Sequence, residues 1–66
     1  MDVIVNGAAR SVEAPASLAD LVGALGLEGK RIAIERNGEI VPKSAHAQTL
    51  IGDGDQLEIV VAVGGG

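Results

Sequence analysis

The C-terminal stretch reads Leu57-Glu58-Ile59-Val60-Val61-Ala62-Val63-Gly64-Gly65-Gly66, an apolar, strand-like run that passes directly into three glycines. Alternate residues of a strand point to the same face of its sheet, which puts four aliphatic side chains on one face: Leu57, Ile59, Val61 and Val63. Glycines have no side chains to pack, so the last three residues cannot hold a fold together. The pattern predicts a folded domain over residues 1–63 and a flexible tail over residues 64–66.

The glycine tail has properties that suit a reaction at its end. Glycine adopts both signs of φ and lets another backbone approach closely, so Gly64 and Gly65 could thread into a narrow cleft of a partner. The carboxylate of Gly66 would then be open to an activating nucleotide and to a nucleophile. Chain ends are often disordered without having a function, so the tail alone does not distinguish a reactive end from a frayed one.

Length and composition limit the architecture. The chain has 66 residues, 47% of them hydrophobic and 21% charged, which is typical of one small globular domain. It contains no aromatic residue, so Val, Ile, Leu and Ala must build the core. It contains no cysteine either, which excludes disulfides, thiolate metal sites and cysteine nucleophiles from these residues.

Charge and hydropathy indicate the kind of partner. The net charge is −4, which disfavours nucleic-acid binding and favours a basic protein surface as partner. The longest apolar run, Ile59 to Val63, is far shorter than the roughly 20 residues of a membrane helix. The first residues show neither the basic region nor the apolar run of a targeting signal. We therefore expect a cytoplasmic domain with no membrane segment.

Two Asn-Gly pairs, Asn6-Gly7 and Asn37-Gly38, are strong signals for hairpin turns. The strands that they are predicted to join span Asp2 to Asn6 with Ala9 to Glu13, and Arg31 to Arg36 with Glu39 to Val41. The contiguous residues Val3, Ile4 and Val5 predict a first strand that is buried on both faces. In the second strand, Val12 is expected to face the core.

One amphipathic helix is predicted between the two hairpins. Its apolar residues fall at positions i, i+3, i+4 and i+7: Leu18, Leu21, Val22 and Leu25. Ser17 is the expected N-cap, Asp20 adds a favourable charge to the first turn, and Gly26 is placed to end the helix.

The segment between the second hairpin and the last strand, from Lys43 to Gly52, has no regular pattern. Leu50 and Ile51 are the residues of this segment that we expect in the core. Asp53-Gly54-Asp55 predicts a turn that leads into the last strand.

The predicted order of elements is β-β-α-β-β-β. Two hairpins and one helix cannot form a doubly wound parallel sheet, because only one crossover is present to join parallel strands. An α+β fold is the economical solution, with a mixed sheet and one main helix packed across one face. The first and last strands are the most apolar, so we expect them side by side and parallel at the sheet centre. This is the β-grasp, or ubiquitin-like, architecture.

Other residues that could carry chemistry have simpler interpretations. His46 is the single histidine, and no nucleophile or second titrating group is placed to work with it, so we interpret it as structural or solvent-exposed. Lys30 and Arg31 could contact an acidic partner, but a solvated strand end is several times commoner. Asp53 and Asp55 could suggest a cation site, although two carboxylates in a tight turn are more often turn residues, and most oxygen ligands for calcium would be missing.

Taken together, the motifs of this chain resemble the small sulfur carrier proteins of thiamine biosynthesis, the ThiS type. The resemblance covers nearly the whole chain, and its order of parts is more specific than any single one. The parts are Asn6-Gly7, the helix with Leu18, Leu21, Val22 and Leu25, the segment from Ile34 to Pro42, Thr49, Asp53-Gly54-Asp55, Glu58-Ile59-Val60, and Val63-Gly64-Gly65-Gly66.

The resemblance implies a role for the tail. A separate ubiquitin-activating-like enzyme would adenylate the carboxylate of Gly66 with ATP, and a sulfur-donating enzyme would help to convert it into a thiocarboxylate. A thiazole synthase would then take the sulfur. The chain would be a carried co-substrate and not a catalyst, and because it has no Gly-rich phosphate loop, ATP and Mg²⁺ are expected at the partner enzyme.

Three alternatives stay open from the sequence. A related carrier, the small subunit of molybdopterin synthase, has a similar fold and terminal glycine pair, but that family is usually longer. A ubiquitin-like protein modifier would become joined to lysines of target proteins. A non-covalent β-grasp binding module would make no use of the tail. For the carrier, we expect partners to dock on the sheet face that the helix leaves uncovered, together with the tail.

Overall fold

The computed structural model describes residues 1–62. Five strands and one main helix form the domain: β1 (Asp2–Val5), β2 (Ala8–Ser11), α1 (Leu18–Ala24), β3 (Ile32–Arg36), β4 (Glu39–Val41) and β5 (Gln56–Val61). A single turn of 3₁₀ helix, Lys43–Ala45, lies between β4 and β5. The order of elements is the one that the sequence predicts.

The strands form one mixed sheet in the order β2-β1-β5-β3-β4. β5 pairs in parallel with β1 and antiparallel with β3, while β1 with β2 and β3 with β4 form the two hairpins. The predicted central position of the first and last strands is therefore confirmed. The chain has the expected α+β architecture, in which one helix covers one face of the sheet.

Helix α1 begins where its sequence provides caps for the free backbone groups. The Ser17 side chain accepts a hydrogen bond from the Asp20 backbone N–H, and the Asp20 carboxylate accepts one from the Ser17 backbone N–H at 2.9 Å. This reciprocal pair satisfies two donors of the first turn, and the acidic side chain also suits the positive end of the helix dipole. The helix ends at Ala24 with Leu25 as its C-cap, and Gly26 follows with a φ of +72°.

The core lies between α1 and the sheet. Leu18, Val3, Ile34 and Leu57 are its largest fully buried side chains. Leu18 comes from the helix and the other three come from the central strands β1, β3 and β5. Aliphatic side chains alone fill this space, because the chain has no aromatic residue.

Two predicted core positions, Ile4 and Leu50, are wrong, and one aliphatic residue of β5, Val61, lies beyond the core. Ile4 is 38% exposed, because the helix covers only one face of the sheet and alternate residues of β1 therefore face solvent. Leu50 is 62% exposed, while its neighbour Ile51 is buried as predicted. Val61 is 40% exposed, because it pairs with Ile32 at the end of the sheet, beyond the last buried residue of β5, Ile59.

The second strand is shorter than predicted. β2 ends at Ser11, and all its residues are exposed because it forms the outer edge of the sheet. Val12 lies after the strand, where its backbone N–H donates to the Met1 carbonyl at 2.8 Å and its half-buried side chain packs against the core. Val63, the last of the four residues predicted to share one face of β5, lies outside the described residues.

Candidate functional site

Strand β5 carries the chain toward the predicted reactive tail. It has hydrogen-bonded neighbours on both sides, and the Ala62 backbone N–H donates to the Arg31 carbonyl at 2.9 Å just after the strand ends. The chain is thus held in place up to Ala62. The predicted tail residues Gly64, Gly65 and Gly66 lie outside the described residues, so the tail and its boundary at residue 63 stay predictions.

Asn6 reinforces the pairing of β5 with β1. Its Nδ2 group donates to the Ile59 carbonyl at 3.1 Å, and its Oδ1 atom accepts from the Ile59 N–H at 2.7 Å. Backbone pairing of β1 with β5 ends at Val5 and Leu57, so this amide side chain extends the bonding to Ile59, two residues farther along β5. The last part of β5 is therefore bonded on its β1 side by a side chain.

A second polar cluster holds the start of β5. The Asp55 carboxylate accepts from Arg36 Nε at 2.8 Å and from the Gly52 N–H at 2.7 Å, both at Oδ2, and from Asn37 Nδ2 at 3.1 Å at Oδ1. Burial raises the pKa of Asp55, but the hydrogen bonds from Arg36, Gly52 and Asn37 and the charge of Arg36 outweigh it. The pKa of Asp55 consequently lies below its usual value of 3.8.

The sheet face opposite the helix, which we name the open face, combines acidic and apolar side chains. Glu35 of β3 and Glu58 of β5 are direct partners in the antiparallel register, and Ile40 of β4 pairs with Glu35 from the other side. Ile40 is 68% exposed and Val60, two residues beyond Glu58, is 60% exposed. Like charges directly opposite each other destabilise a sheet, so the acidic pair has a cost for the fold.

The other candidate residues have structural positions. His46 is buried, with only 6% of its surface exposed, and its Nε2 lies 3.0 Å from the Val41 carbonyl oxygen, which confirms the structural interpretation over the solvent-exposed one. Asp53 accepts a hydrogen bond from the Asp2 N–H at 2.7 Å, and Asp55 is engaged as described above. Both carboxylates therefore act as turn residues, and within residues 1–62 no group of three or more possible ligand side chains is close enough to hold a metal ion.

Lys30 and Arg31 are both exposed at the start of β3, as expected for a solvated strand end. No helix formed by residues 1–62 combines the length and hydropathy needed to cross a bilayer.

The sequence pattern of the ThiS family matches residues 3–66, which is nearly the whole chain and includes the terminal glycines. The chain belongs to the ThiS family. Its fold agrees, since a crystal structure of the thiamine biosynthesis protein ThiS from Geobacter metallireducens superimposes with a TM-score of 0.83 at 30% identity, covering 100% of both chains.

Three further relatives of this ThiS-family chain comprise one of about the same length and two that are much longer. The sulfur carrier protein ThiS of Bacillus subtilis is 40% identical over 50 residues, covering 76% of each chain. A thiazole synthase of Paramagnetospirillum magneticum is 47% identical over all 66 residues, which make up 20% of its length. The chain thus spans about a fifth of that relative, and about a fifth of a thiazole synthase of Magnetococcus marinus that is 32% identical.

Sequence reasoning missed the polar residues that position β5. Asn6 and Asn37 were assigned only to turns, yet both side chains bond to β5 or to the segment before it. Asparagine is favoured before glycine in such turns because it tolerates positive φ, so the local signal gave no indication of a second role. Glu35 and Glu58 could each be predicted as exposed from alternation, but their pairing depends on the register between β3 and β5.

Proposed function

We propose that this ThiS-family chain is a sulfur carrier for thiazole formation in thiamine biosynthesis. In this proposal the carboxylate of Gly66 is adenylated and then converted to a thiocarboxylate, while Gly64 and Gly65 pass through the narrow cleft of the partner. The observation that carries the proposal is the family match through Gly66, on a domain that holds β5 rigidly up to Ala62. A small carrier needs such a combination of a fixed base and a terminal group without side chains.

The chemistry divides between the chain and its partners. A carboxylate is a poor electrophile, so one of its oxygens must first attack ATP to form an acyl-adenylate with release of pyrophosphate. Hydrosulfide, supplied through the sulfur-donating enzyme, then attacks the acyl carbon and displaces AMP, which leaves the sulfur on the chain as the thiocarboxylate. We assign ATP and Mg²⁺ to the ubiquitin-activating-like adenylating enzyme, where Mg²⁺ offsets the charge of the nucleotide. The chain acts as a co-substrate and not a catalyst, and we assign the reaction to the cytoplasm, where ATP is available.

Thiazole synthase is the acceptor that we propose. Its support is the pair of relatives named thiazole synthase, in which a segment like the whole of this chain makes up 20% of a longer polypeptide. When two activities work on one intermediate, covalent linkage keeps them at high effective concentration. We therefore expect the thiocarboxylate of this chain to serve the same type of synthase. The molybdopterin-type carrier has no comparable support among these relatives.

We propose the open face as the surface that docks on the adenylating enzyme, together with the tail. Exposed Ile40 and Val60 provide apolar contact area, and the facing carboxylates Glu35 and Glu58 suit a basic surface. The repulsion between these carboxylates has a cost in the free chain that a basic partner would relieve. This supports a role for the acidic pair in binding.

The deciding experiment measures the intact mass of the chain after incubation with ATP, the adenylating enzyme and a sulfur donor. We expect a gain equal to the replacement of one oxygen by sulfur, and no gain in a variant that lacks Gly66. An unchanged mass with an adenylating enzyme that is active on another carrier would overturn the proposal. Isopeptide-linked conjugates in place of the thiocarboxylate would favour the modifier.

The docking surface has a separate test in the Glu35→Gln/Glu58→Gln variant. We expect roughly five- to tenfold weaker binding to the adenylating enzyme, from the loss of two charges at the interface, while the free chain becomes slightly more stable. The matched control is Glu13→Gln/Glu28→Gln, which changes the net charge equally away from the open face. Equal weakening by both variants would show a general charge effect and count against docking on the open face.

A further inference from the structure

A groove of about 440 Å³ lies on the side of the sheet that the helix covers, away from the open face. It is bounded by α1, by the loop that follows the helix, by the first residue of β3 and by the 3₁₀ turn. Val22, Leu27 and Ile32 line it with aliphatic surface. The groove is open to solvent, so an occupant keeps one side in water, as an extended peptide segment does.

Two exposed ammonium groups, those of Lys30 and Lys43, also line this groove. They are two of only five basic residues in a chain with a net charge of −4. Among residues 1–62 the single ion pair joins Arg36 to Asp55, so neither lysine is neutralised there. The groove is thus a locally basic site on an acidic protein, and it attracts carboxylates.

Glu28 is the acidic residue on the groove. Its Oε1 atom lies 2.6 Å from the point where a Cβ atom on Gly23 would be. Because Gly23 is a helix residue, this places the Glu28 carboxylate against α1. Its charge therefore lies beside the helix, while the two lysine charges remain available to a ligand.

His46 also lines the groove, and its ring is held by a hydrogen bond within the chain. Its Nε2 atom lies 3.0 Å from the Val41 carbonyl oxygen, and because a carbonyl oxygen only accepts, Nε2 must carry the hydrogen. Within residues 1–62, every side-chain nitrogen or oxygen atom that is buried from solvent has a hydrogen-bond partner. His46 therefore forms a fixed part of the groove wall, with only 6% of its surface exposed.

We propose that this groove binds an acidic peptide segment of a partner protein. An aliphatic side chain of the segment packs on Val22, Leu27 and Ile32, and neighbouring carboxylates pair with Lys30 and Lys43. The inference is independent of sulfur transfer. It gives the chain a second binding surface, on the opposite side of the sheet from the open face, which a partner can occupy while the open face and tail are engaged.

The test uses the full chain labelled with ¹⁵N and a capped peptide in which one leucine lies between two glutamates. We expect saturable shifts of backbone amide signals around the groove, at Gly29, Lys30, Lys43 and Ala47, and none at Glu58 or Val60. A peptide with glutamines in place of the glutamates should bind roughly tenfold more weakly, because two exposed charge pairs are lost. Serine in place of the leucine should also weaken binding, because it removes the apolar contact.

Matched variants of the chain separate the groove from general charge. Lys43→Glu should weaken binding of the acidic peptide several-fold, whereas Arg10→Glu, at the opposite edge of the sheet, should have little effect at the same net charge. Lys30→Glu repeats the test at the second site, and the amide spectra themselves report whether each variant is folded. The proposal is overturned by equal loss in Lys43→Glu and Arg10→Glu, by shifts on the open face, or by no saturable shift at millimolar peptide.

Discussion

The two hairpin turns have the same dipeptide and the same backbone, yet they stabilise β5 in different ways. Asn6 and Asn37 both have a φ of +51°, and the glycines that follow have φ values of +81° and +87°. The Asn6 side chain bonds to the backbone of Ile59, near the end of β5. The Asn37 side chain bonds to the Asp55 carboxylate and to the Gln56 N–H, at the start of the same strand.

The two sets of bonds differ in charge. The bonds of Asn6 to Ile59 form a neutral anchor of β5, and the bonds among Asn37, Asp55 and Arg36 form an ionic anchor. Asn6 joins an amide to backbone groups, so its contribution is independent of pH in the ordinary range. Asn37 belongs to a cluster with the ionised Asp55 and with Arg36, so its contribution depends on a carboxylate remaining charged. A turn signal in the sequence thus predicts the backbone conformation, while the long-range bonds of the same residue decide what it does for the fold.

The largest expected effect comes from removing the centre of the ionic anchor. Asp55→Ala leaves the Gly52 N–H and the side chains of Arg36 and Asn37 without their acceptor, and we expect a loss of about 3 kcal/mol in the free energy of unfolding. Urea unfolding at neutral pH measures it. Asp53→Ala is the control, since its exposed carboxylate has one bond, and it should cost less than about 1 kcal/mol. Similar losses in both variants would show that the cluster adds little beyond the turn.

The next effect compares the two asparagines directly. Substitution by glycine keeps the positive φ and removes only the side-chain bonds. We expect about 2 kcal/mol for Asn6→Gly, because both backbone groups of Ile59 lose a partner, and about 1 kcal/mol for Asn37→Gly, because Asp55 keeps its other bonds. Chemical denaturation of the two variants decides the order. A larger loss for Asn37→Gly would reverse the assignment of the two anchors.

The backbone strain caused by a side chain at the glycine should be equal in the two turns. Gly7→Ala and Gly38→Ala each place a side chain at a strongly positive φ, with open space around it, so only the backbone strain counts. We expect each substitution to cost about 1 kcal/mol, the same within a few tenths. Thermal or urea unfolding of both variants measures the cost. If alanine destabilises one turn and not the other, the two turn backbones differ in solution and the expectation is wrong.

The smallest expected effect is the loss of folding stability in acid. It is small because a protonated Asp55 still has one oxygen that can accept a hydrogen bond. The pKa of Asp55 is lower in the folded chain than its usual value of 3.8, so its contribution to stability is complete above that value and is lost as the pH falls through the folded pKa. We expect Arg36→Gln to reduce this acid-dependent loss, and Asn6→Gly to leave it parallel to the parent. Unfolding free energies from about pH 5 downward measure it. If Arg36→Gln loses as much stability in acid as the parent does, the loss comes from other carboxylates.

Periodicity and turn signals were enough to predict the order of elements and the central parallel pair. The helix period, the two Asn-Gly pairs and the apolar first and last strands each restrict the topology. The burial of individual residues was harder to predict from the sequence. Leu50 and Ile51 are adjacent and both aliphatic, and the choice between them depends on the bridge from Leu50 to Ser17 and on the Ile51 N–H donating to the Ala16 carbonyl at 2.8 Å.

The candidate site was also predictable only in part, because it too depends on contacts between residues that are distant in the sequence. Family resemblance pointed to Gly64, Gly65 and Gly66, which lie outside the described residues, so the structure informs the base of the tail and the tail itself stays a prediction. The Asn6 bonds to Ile59 join residues 53 positions apart, and a local pattern has no means of revealing such a contact. The pairing of Glu35 with Glu58 likewise follows from the register and not from either strand alone.

The central position of β5 also determines how the domain responds to tension. A partner that draws the tail into a cleft pulls along the axis of β5, whose ladders to β1 and β3 run across that axis on both sides. The hydrogen bonds on both sides of β5 are therefore loaded together in shear, and the two bonds from Asn6 at its outer end are among them. In a peeling geometry, by contrast, the bonds would be loaded one after another. A pull on the end of β5 is thus opposed by both neighbouring strands at once.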